Sequence, residues 1–209
     1  MAIDEALLEA APRAVTPLLR FYSWSEPAAT FGYFQRYTNV ERMTPLRPLV
    51  RRPTGGGLVP HDADWTYSLM FPPETEWYQL RAVESYRRVH AWIQAGFAGV
   101  RVATELAPVP RQGVSGQCFV GAEQFDLLWG NRKIAGAAQR RTRHGLLIQG
   151  SVQPPPGVRR VDWENAMCDV ARAEWGVVWA SSAMDLGLSD RAQRLVEEKY
   201  GRSDYQRRR

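Results

Sequence analysis

Cys118, Lys133 and the stretch "RRPTGGGLVPHDADWTYSL" from Arg51 to Leu69 hold the side chains of this 209-residue chain best suited to chemistry. In that stretch two arginines and a proline precede three consecutive glycines, Gly55, Gly56 and Gly57, and His61 lies shortly beyond. A tight turn needs one glycine for positive φ, or two for a primed hairpin turn, so a third asks for a ligand or another backbone lying against the chain. Backbone N–H groups in such a turn can donate to an oxygen with no side chain intervening, as an oxyanion stabiliser requires. Arg52 adds a fixed positive charge nearby. Each feature alone also has an ordinary structural role: the glycines as a strained connection, an isolated cysteine as a small buried hydrophobe, His61 as a turn pair with Asp62.

The cation balance singles out the lysine. Of 27 basic residues only Lys133 and Lys199 are lysine, so wherever a plain positive charge serves, this chain uses arginine. A lysine that remains is a candidate for its amine. Lys199, in the amphipathic "RAQRLVEEKY", reads as a surface helix residue, which leaves Lys133.

These residues need elements to place them. "AIDEALLEAA" has apolar residues at helical spacing and predicts an opening helix. "LLRFYSW" and "ATFGYFQ" predict strands joined by "SEPA" as a hairpin, "PLVRR" a strand entering the glycine turn, and "WTYSLMF" a strand leaving it. "LRAVESYRRVHAWIQAGF" is a long amphipathic helix with Ala82, Tyr86, Val89 and Trp92 on one face. The Pro, Gly and Ser of "APVPRQGVSGQ" (107–117) predict a loop ending at Cys118. "FDLLW", the turn "GN" and "KIAGAAQRR" predict a hairpin followed by the strand "GLLIQGSV". In that hairpin Lys133 and Cys118 are not cross-strand neighbours, so the loop must fold back to bring them together. "QPPPGVRR" breaks the chain before two helices, near "WENAMCDVARAEW" and "DRAQRLVEEKY", the latter with Ser189 as N-cap. Strands in the middle and helices toward both ends predict one α+β domain over residues 1–209, with a mixed, mainly antiparallel sheet flanked by helices.

Composition narrows the function classes. The 44% hydrophobic content is that of a globular protein, and no run reaches the roughly 18 apolar residues of a membrane span. The acids of "MAIDEALLEAA" are unlike a secretory leader, so a cytoplasmic protein with no membrane partner is expected, with Cys118 and Cys168 as free thiols. The net charge of +5 owes much to the tail "GRSDYQRRR", whose four arginines face one aspartate. A nucleic-acid partner is therefore not expected.

Together, "RRPTGGGLVPHDADWTYSL" and "KIAGAAQ" resemble the lipoate–protein ligase and octanoyltransferase superfamily, which includes the biotin ligases. "MAIDEALL" and the pair "LRFYSW" and "ATFGYFQ" are similar to its N-terminal region. The resemblance implies a mixed sheet flanked by helices, with a fatty acyl chain and its carbonyl beside the glycine turn. It implies substrate-binding roles for Arg52, Thr54, Gly55, Gly56, Gly57, Leu58, Val59, His61, Gly136 and Ala137, catalytic roles for Cys118 and Lys133, and no metal. The ligases adenylate free lipoate with ATP, whereas the transferases hold octanoate on a cysteine. Cys118 precedes Lys133 by 15 residues, and this resembles the cysteine-to-lysine spacing of octanoyltransferases of many Gram-positive bacteria. Where many members carry His-Gly, this chain has Gln149-Gly150, and "AQRRTRHGLLIQ" is similar to the octanoyl amidotransferases. His144 reads as a surface or turn residue.

The chemistry implied is transfer without a cofactor. A thiol of ordinary pKa near 8.5 is mostly protonated at neutral pH, and a nearby ammonium such as Lys133 lowers that value. Attack on an octanoyl thioester is nearly isoenergetic, and the acyl-enzyme is then aminolysed by a lysine of the acceptor, with Lys133 moving a proton. The resemblance names an octanoyl carrier protein or an octanoylated lipoyl domain as donor. It names a lipoyl domain, of the glycine cleavage H protein or a dehydrogenase E2, as acceptor. Two alternatives stay open: an ATP- and magnesium-dependent ligase domain, and an inactive acyl- or carrier-binding homologue. No C-terminal accessory domain of the ligase kind is expected within 1–209.

Overall fold

The computed structural model describes residues 1–14, 16–111, 113 and 116–208; the predicted 107–117 loop therefore falls partly outside them. The chain runs α1 (Ala2–Ala14), β1 (Leu18–Tyr22), β2 (Ala28–Phe31), α2 (Tyr37–Met43), β3 (Leu49–Arg51), β4 (Val59–His61), β5 (Trp65–Phe71), α3 (Glu76–Gln79), α4 (Ala82–Gly99) and β6 (Glu105–Leu106). It continues through β7 (Leu127–Trp129), β8 (Arg132–Thr142), β9 (Gly145–Val152), α5 (Arg160–Trp175), α6 (Leu186–Leu195) with a π-helical turn at Val196–Tyr200, and α7 (Ser203–Arg207).

Two sheets carry the site. The larger has six strands in the order β1-β5-β9-β8-β7-β6, each pair antiparallel. The smaller has the order β3-β2-β4, with β2 parallel to β3 and antiparallel to β4. The architecture is thus α+β, with its parallel pair in the small sheet.

The predicted hairpin of "LLRFYSW" and "ATFGYFQ" does not form. β1 pairs with β5 and β2 lies between β3 and β4. All four residues of β2 are buried, so that strand needs a neighbour on each edge, whereas the half-buried β1 is satisfied at the edge of the large sheet.

Every residue of β5 is buried because the sheet is covered on both faces. Trp65, Tyr67, Leu69 and Phe71 point into the main core with Val89, Trp92, Ile93 and Phe97 of α4 and Trp163 and Met167 of α5. Burying side chains of this size stabilises by about 1.5–3 kcal/mol each. The buried face of α4 is turned from the expected one: Ala82 is exposed and Tyr86 half-buried, while Ser85 and His90 are buried. The two helices approach closely where Gly96 meets Met167, and Trp92 Nε1 donates to the Met167 carbonyl at 2.7 Å.

On the opposite face Met70 and Leu147 pack against Leu8 of α1, and Ala2 and Ala6 of α1 pack against Ala192, Leu195, Tyr200 and Tyr205. α6 is capped by Asp185, which accepts from the Leu188 N–H at 2.7 Å, and not by Ser189. An aspartate is as good a cap as a serine, and the helix starts earlier than its apolar pattern suggests. Nor is Lys199 a simple surface residue. Its ammonium pairs with Glu5 of α1 at 2.6 Å, and the Tyr200 hydroxyl donates to the same carboxylate at 2.5 Å. No helix among the described residues is long and apolar enough to cross a membrane.

Candidate active site

The alternation of β5, β9 and β8 builds the floor of a cleft. Thr66, Ser151 and Gly136 stand in one cross-strand row and Ser68, Gln149 and Ala138 in the next, all on the face away from α4 and α5. Small and polar side chains there leave a cleft beneath the glycine turn, lined among others by Arg52, Gly56, Val59, His61, Cys118, Lys133, Gly136 and Ala137. The structure therefore brings together Cys118 and Lys133 with most of the residues expected to bind substrate. Four expected residues do not line the cleft: Gly57, which packs on Gly116, and Thr54, Leu58 and Gly55. Thr54 is buried and donates to Gln149 Oε1 at 2.9 Å, Leu58 lies in the core of the small sheet, and a Cβ on Gly55 would meet no atom within 4 Å.

The chain itself accounts for most of the glycine run. Gly56 has φ +84°, a conformation that glycine adopts without strain. At Gly57 the neighbour is another backbone: a Cβ there would lie 2.7 Å from the Gly116 carbonyl oxygen and 3.2 Å from the Cys118 sulfur. The described end of the 107–117 segment docks on this turn. Leu58 N–H donates to Gly116 at 2.7 Å and Cys118 N–H donates to Leu58 at 3.1 Å. Gly57 N–H donates to the Cys118 sulfur at 3.0 Å.

Arg52 is buried beside this sulfur. It donates through Nη2 to the carbonyls of Gly55 and Gly57 at 2.9 and 2.7 Å, and through Nη1 to Thr30 Oγ1 at 2.8 Å. Burial pushes its guanidinium down from the ordinary arginine value, opposed by the neighbouring Cys118 sulfur. His61 does not pair with Asp62. It is buried, 2.8 Å from Asp64 Oδ2 through Nδ1 and 2.8 Å from Thr30 Oγ1 through Nε2, with Trp24 stacked on its ring.

Lys133 reaches the cleft through an irregularity. Leu127 pairs with Ala135 but Leu128 with Lys133, so Ile134 is an extra residue on β8. The bulge puts both Ile134 and Ala135 into the main core and turns Lys133 to the face of Gly136, whose Cβ would stand 2.7 Å from the lysine Cε. Strict alternation would have grouped Lys133 with Ala135 and Ala137 on the core side. The ammonium pairs with Asp126 at 2.7 Å, the two side chains being 8% and 6% exposed, and it lies 5.4 Å from the centre of the Phe119 ring.

Sequence reasoning missed Asp126, Thr30 and the carboxylate under the turn, Asp4. Asp4 is fully buried and accepts from Arg20, Ser68 and Gln149 at 2.8, 2.9 and 2.7 Å. An acid on the apolar face of the opening helix was the available signal, since a buried carboxylate must find donors. His144 stands in the turn between β8 and β9, outside the cleft, where it accepts from Arg143. Both cysteines are free, and burial pushes the Cys168 thiol up.

An α+β scaffold whose glycine turn closes over one face of an antiparallel sheet is the fold of lipoate–protein ligase catalytic domains. A T. acidophilum protein described as a lipoate protein ligase and solved with bound lipoic acid superposes with TM-score 0.80 at 18% identity, over 98% of this chain and 91% of that one. Lipoate-protein ligase A bound with ATP superposes with TM-score 0.79, also at 18% identity, over 98% and 91%. Residues 1–153 match the family described as Lipoyl protein ligase A/B catalytic domain, and the chain belongs to that family. It is 39% identical to Octanoyltransferase LipM of Exiguobacterium sibiricum and 34% identical to that of Staphylococcus aureus, each match covering 73% of this chain. The chain spans 60% of the length of each of these relatives.

Proposed function

We propose that the protein moves an octanoyl group from a carrier-protein thioester, through a Cys118 acyl-enzyme, to a lysine of a lipoyl domain. The observation that carries this reading is a cysteine sulfur held by a glycine-turn N–H at the mouth of a cleft shared with a lysine. The sulfur attacks the thioester carbonyl and the carrier thiol leaves with a proton. The acceptor's ε-amine then attacks the acyl-enzyme, forming the amide and returning the Cys118 thiol. Arg52 and the turn N–H groups face the carbonyl oxygen as charge develops on it. Lys133, paired with Asp126, moves the proton between amine and thiol.

Neither step needs ATP or a metal, since one thioester replaces another before an amide forms. The donor is an octanoyl carrier protein or an octanoylated lipoyl domain, the acceptor a lipoyl domain of an H protein or E2 subunit, and the setting the cytoplasm. The names of the octanoyltransferase relatives support the reading.

The test is intact mass after incubation with octanoyl carrier protein, with and without ATP. One octanoyl group should appear without ATP, yield to neutral hydroxylamine, and be lost in Cys118→Ala but kept in Cys168→Ala. Labelling that requires ATP and free octanoate, or that persists in Cys118→Ala, would overturn it.

A further inference from the structure

We infer that Arg52, and not Lys133, is the counter-charge of the ionised Cys118 sulfur, and that a buried relay of Asp64, His61 and Thr30 aims it. A single point, where a Cβ on Gly56 would stand, lies 3.2 Å from Arg52 Nη2 and 3.7 Å from the Cys118 sulfur. The same guanidinium nitrogen is tied to the Gly57 carbonyl while the Gly57 N–H holds the sulfur. Cation and sulfur are thus fixed to one peptide segment. Lys133 has its charge answered by Asp126 at 2.7 Å, away from solvent, so the pair as a unit offers the sulfur little net charge.

The relay follows from counting protons. Arginine only donates, so Thr30 Oγ1 accepts from Nη1 and keeps its proton and a second lone pair for the contact with His61 Nε2. The Asp64 carboxylate only accepts, so His61 Nδ1 carries a proton toward Oδ2, and in that tautomer Nε2 accepts from Thr30. Asp64 Oδ2 also accepts from Thr66 at 3.1 Å and Ser151 at 2.6 Å, which fixes the carboxylate to the floor of the cleft. Trp24, 4.3 Å above the imidazole and donating to Thr66, seals the relay. The two turn carbonyls and Thr30 Oγ1 together leave the guanidinium one orientation, with Nη2 toward the carbonyls and the sulfur.

Among the described residues, the charged and titratable groups around the cleft besides Cys118 are Arg52 from the end of β3, the amine of Met1 before α1, Tyr22 from β1, His61 from β4 with Asp64, and Lys133 of β8 with its partner Asp126. Burial keeps Tyr22 a neutral phenol well beyond its usual range. Among the described residues Arg52 pairs with no carboxylate, and it is the cation tied to the peptide segment that holds the sulfur. Thr30, His61 and Asp64 are positioning residues, and they act on the sulfur only through it.

The inference rests on Cys118 being the nucleophile, but its test needs no acyl donor. In a Cys168→Ala background, the rate of Cys118 alkylation by iodoacetamide is measured against pH, which reports the thiol's titration midpoint. Thr30→Val, close in shape but unable to bond Arg52 or His61, should raise the midpoint by about one pH unit. Arg52→Lys should raise it too, because the compact ammonium cannot hold two carbonyls and a hydroxyl together. Asp64→Asn supplies the same reading from the far end of the relay if Thr30→Val does not fold. The double variant Lys133→Met/Asp126→Asn, which removes the other pair as a unit, should leave the midpoint in place. An unmoved midpoint in the relay variants, or a rise in the double variant as large as that in Arg52→Lys, would overturn the inference. Failure to form an octanoyl-enzyme alongside the expected midpoints would count against the proposed function alone.

Discussion

The three glycines of the turn make different demands, and single methyl groups separate them. Gly55→Ala adds a Cβ into open space and should change stability by no more than about 0.5 kcal/mol and leave acyl-enzyme formation intact. Gly57→Ala forces the Gly116 carbonyl and the Cys118 sulfur away, and displacement on the order of 1 Å at a reacting atom costs roughly a hundredfold in rate. Mass-spectrometric rates of octanoyl-enzyme formation for the two variants check this, and equal rates would show that the docked backbone does not set the position of the sulfur. Asp126 makes a separate demand. Asp126→Ala strands the buried Lys133 ammonium and should lower the unfolding free energy by about 3–5 kcal/mol in urea titrations. Replacing both partners with apolar residues, as in Lys133→Met/Asp126→Leu, should recover most of that loss.

At the level of elements, β8 shows what pattern reading can and cannot reach. The strand, its hairpin turn at Gly130 and Asn131 and its antiparallel partner all follow from "FDLLW", "GN" and "KIAGAAQRR". The bulge at Ile134 does not, because an extra residue on one strand leaves no mark in a sequence that still alternates small and apolar. Yet the bulge decides that Lys133 faces the cleft. The same limit explains β1 and β2: their strand character was legible, but their separation into two sheets depends on neighbours far along the chain. Cys118, Lys133, Arg52 and His61 were legible as types and spacing. Thr30 and Asp64 were not, since their roles exist only once β2 and β4 are paired. The small residues of β8 give a prediction at this scale. A Cβ on Gly136 would meet the flexible end of Lys133, 2.7 Å from Cε and 2.8 Å from Nζ, so Gly136→Ala should fold while pushing the ammonium off Asp126. Octanoyl transfer to a lipoyl domain should fall roughly a hundredfold or more. Unchanged transfer would show that the lysine's position in the cleft does not matter to the second step.

For the whole molecule, the group that should govern stability in mild acid is His90, in the layer between α4 and the large sheet. It is almost fully buried, and burial, opposed by the Asp126 carboxylate, holds its pKa down at about 4 against an ordinary 6.5. The folded protein therefore binds its imidazole neutral. Between those two values the unfolded chain carries more protons than the folded one, so stability rises with pH across the window and is lost as pH falls from about 6.5 toward 4. The loss between about pH 7 and pH 4.5 should be on the order of 2–3 kcal/mol for this one group. Carboxylates held down in ion pairs, such as Glu5 and Asp162, act in the same direction but only below the carboxylate range, since their stabilisation is fully present above their unfolded values. The upper part of the window thus belongs to the histidine and to the Met1 amine, which burial lowers from its ordinary value. Urea unfolding of the wild type and of His90→Leu at several pH values separates the two contributions. From pH 7 to about pH 5 the variant should decline less than the wild type by the histidine's share, and both should fall more steeply at lower pH. Parallel curves for the two proteins over the upper window would show that His90 is not what couples proton binding to the packing of α4 on the sheet that carries Lys133.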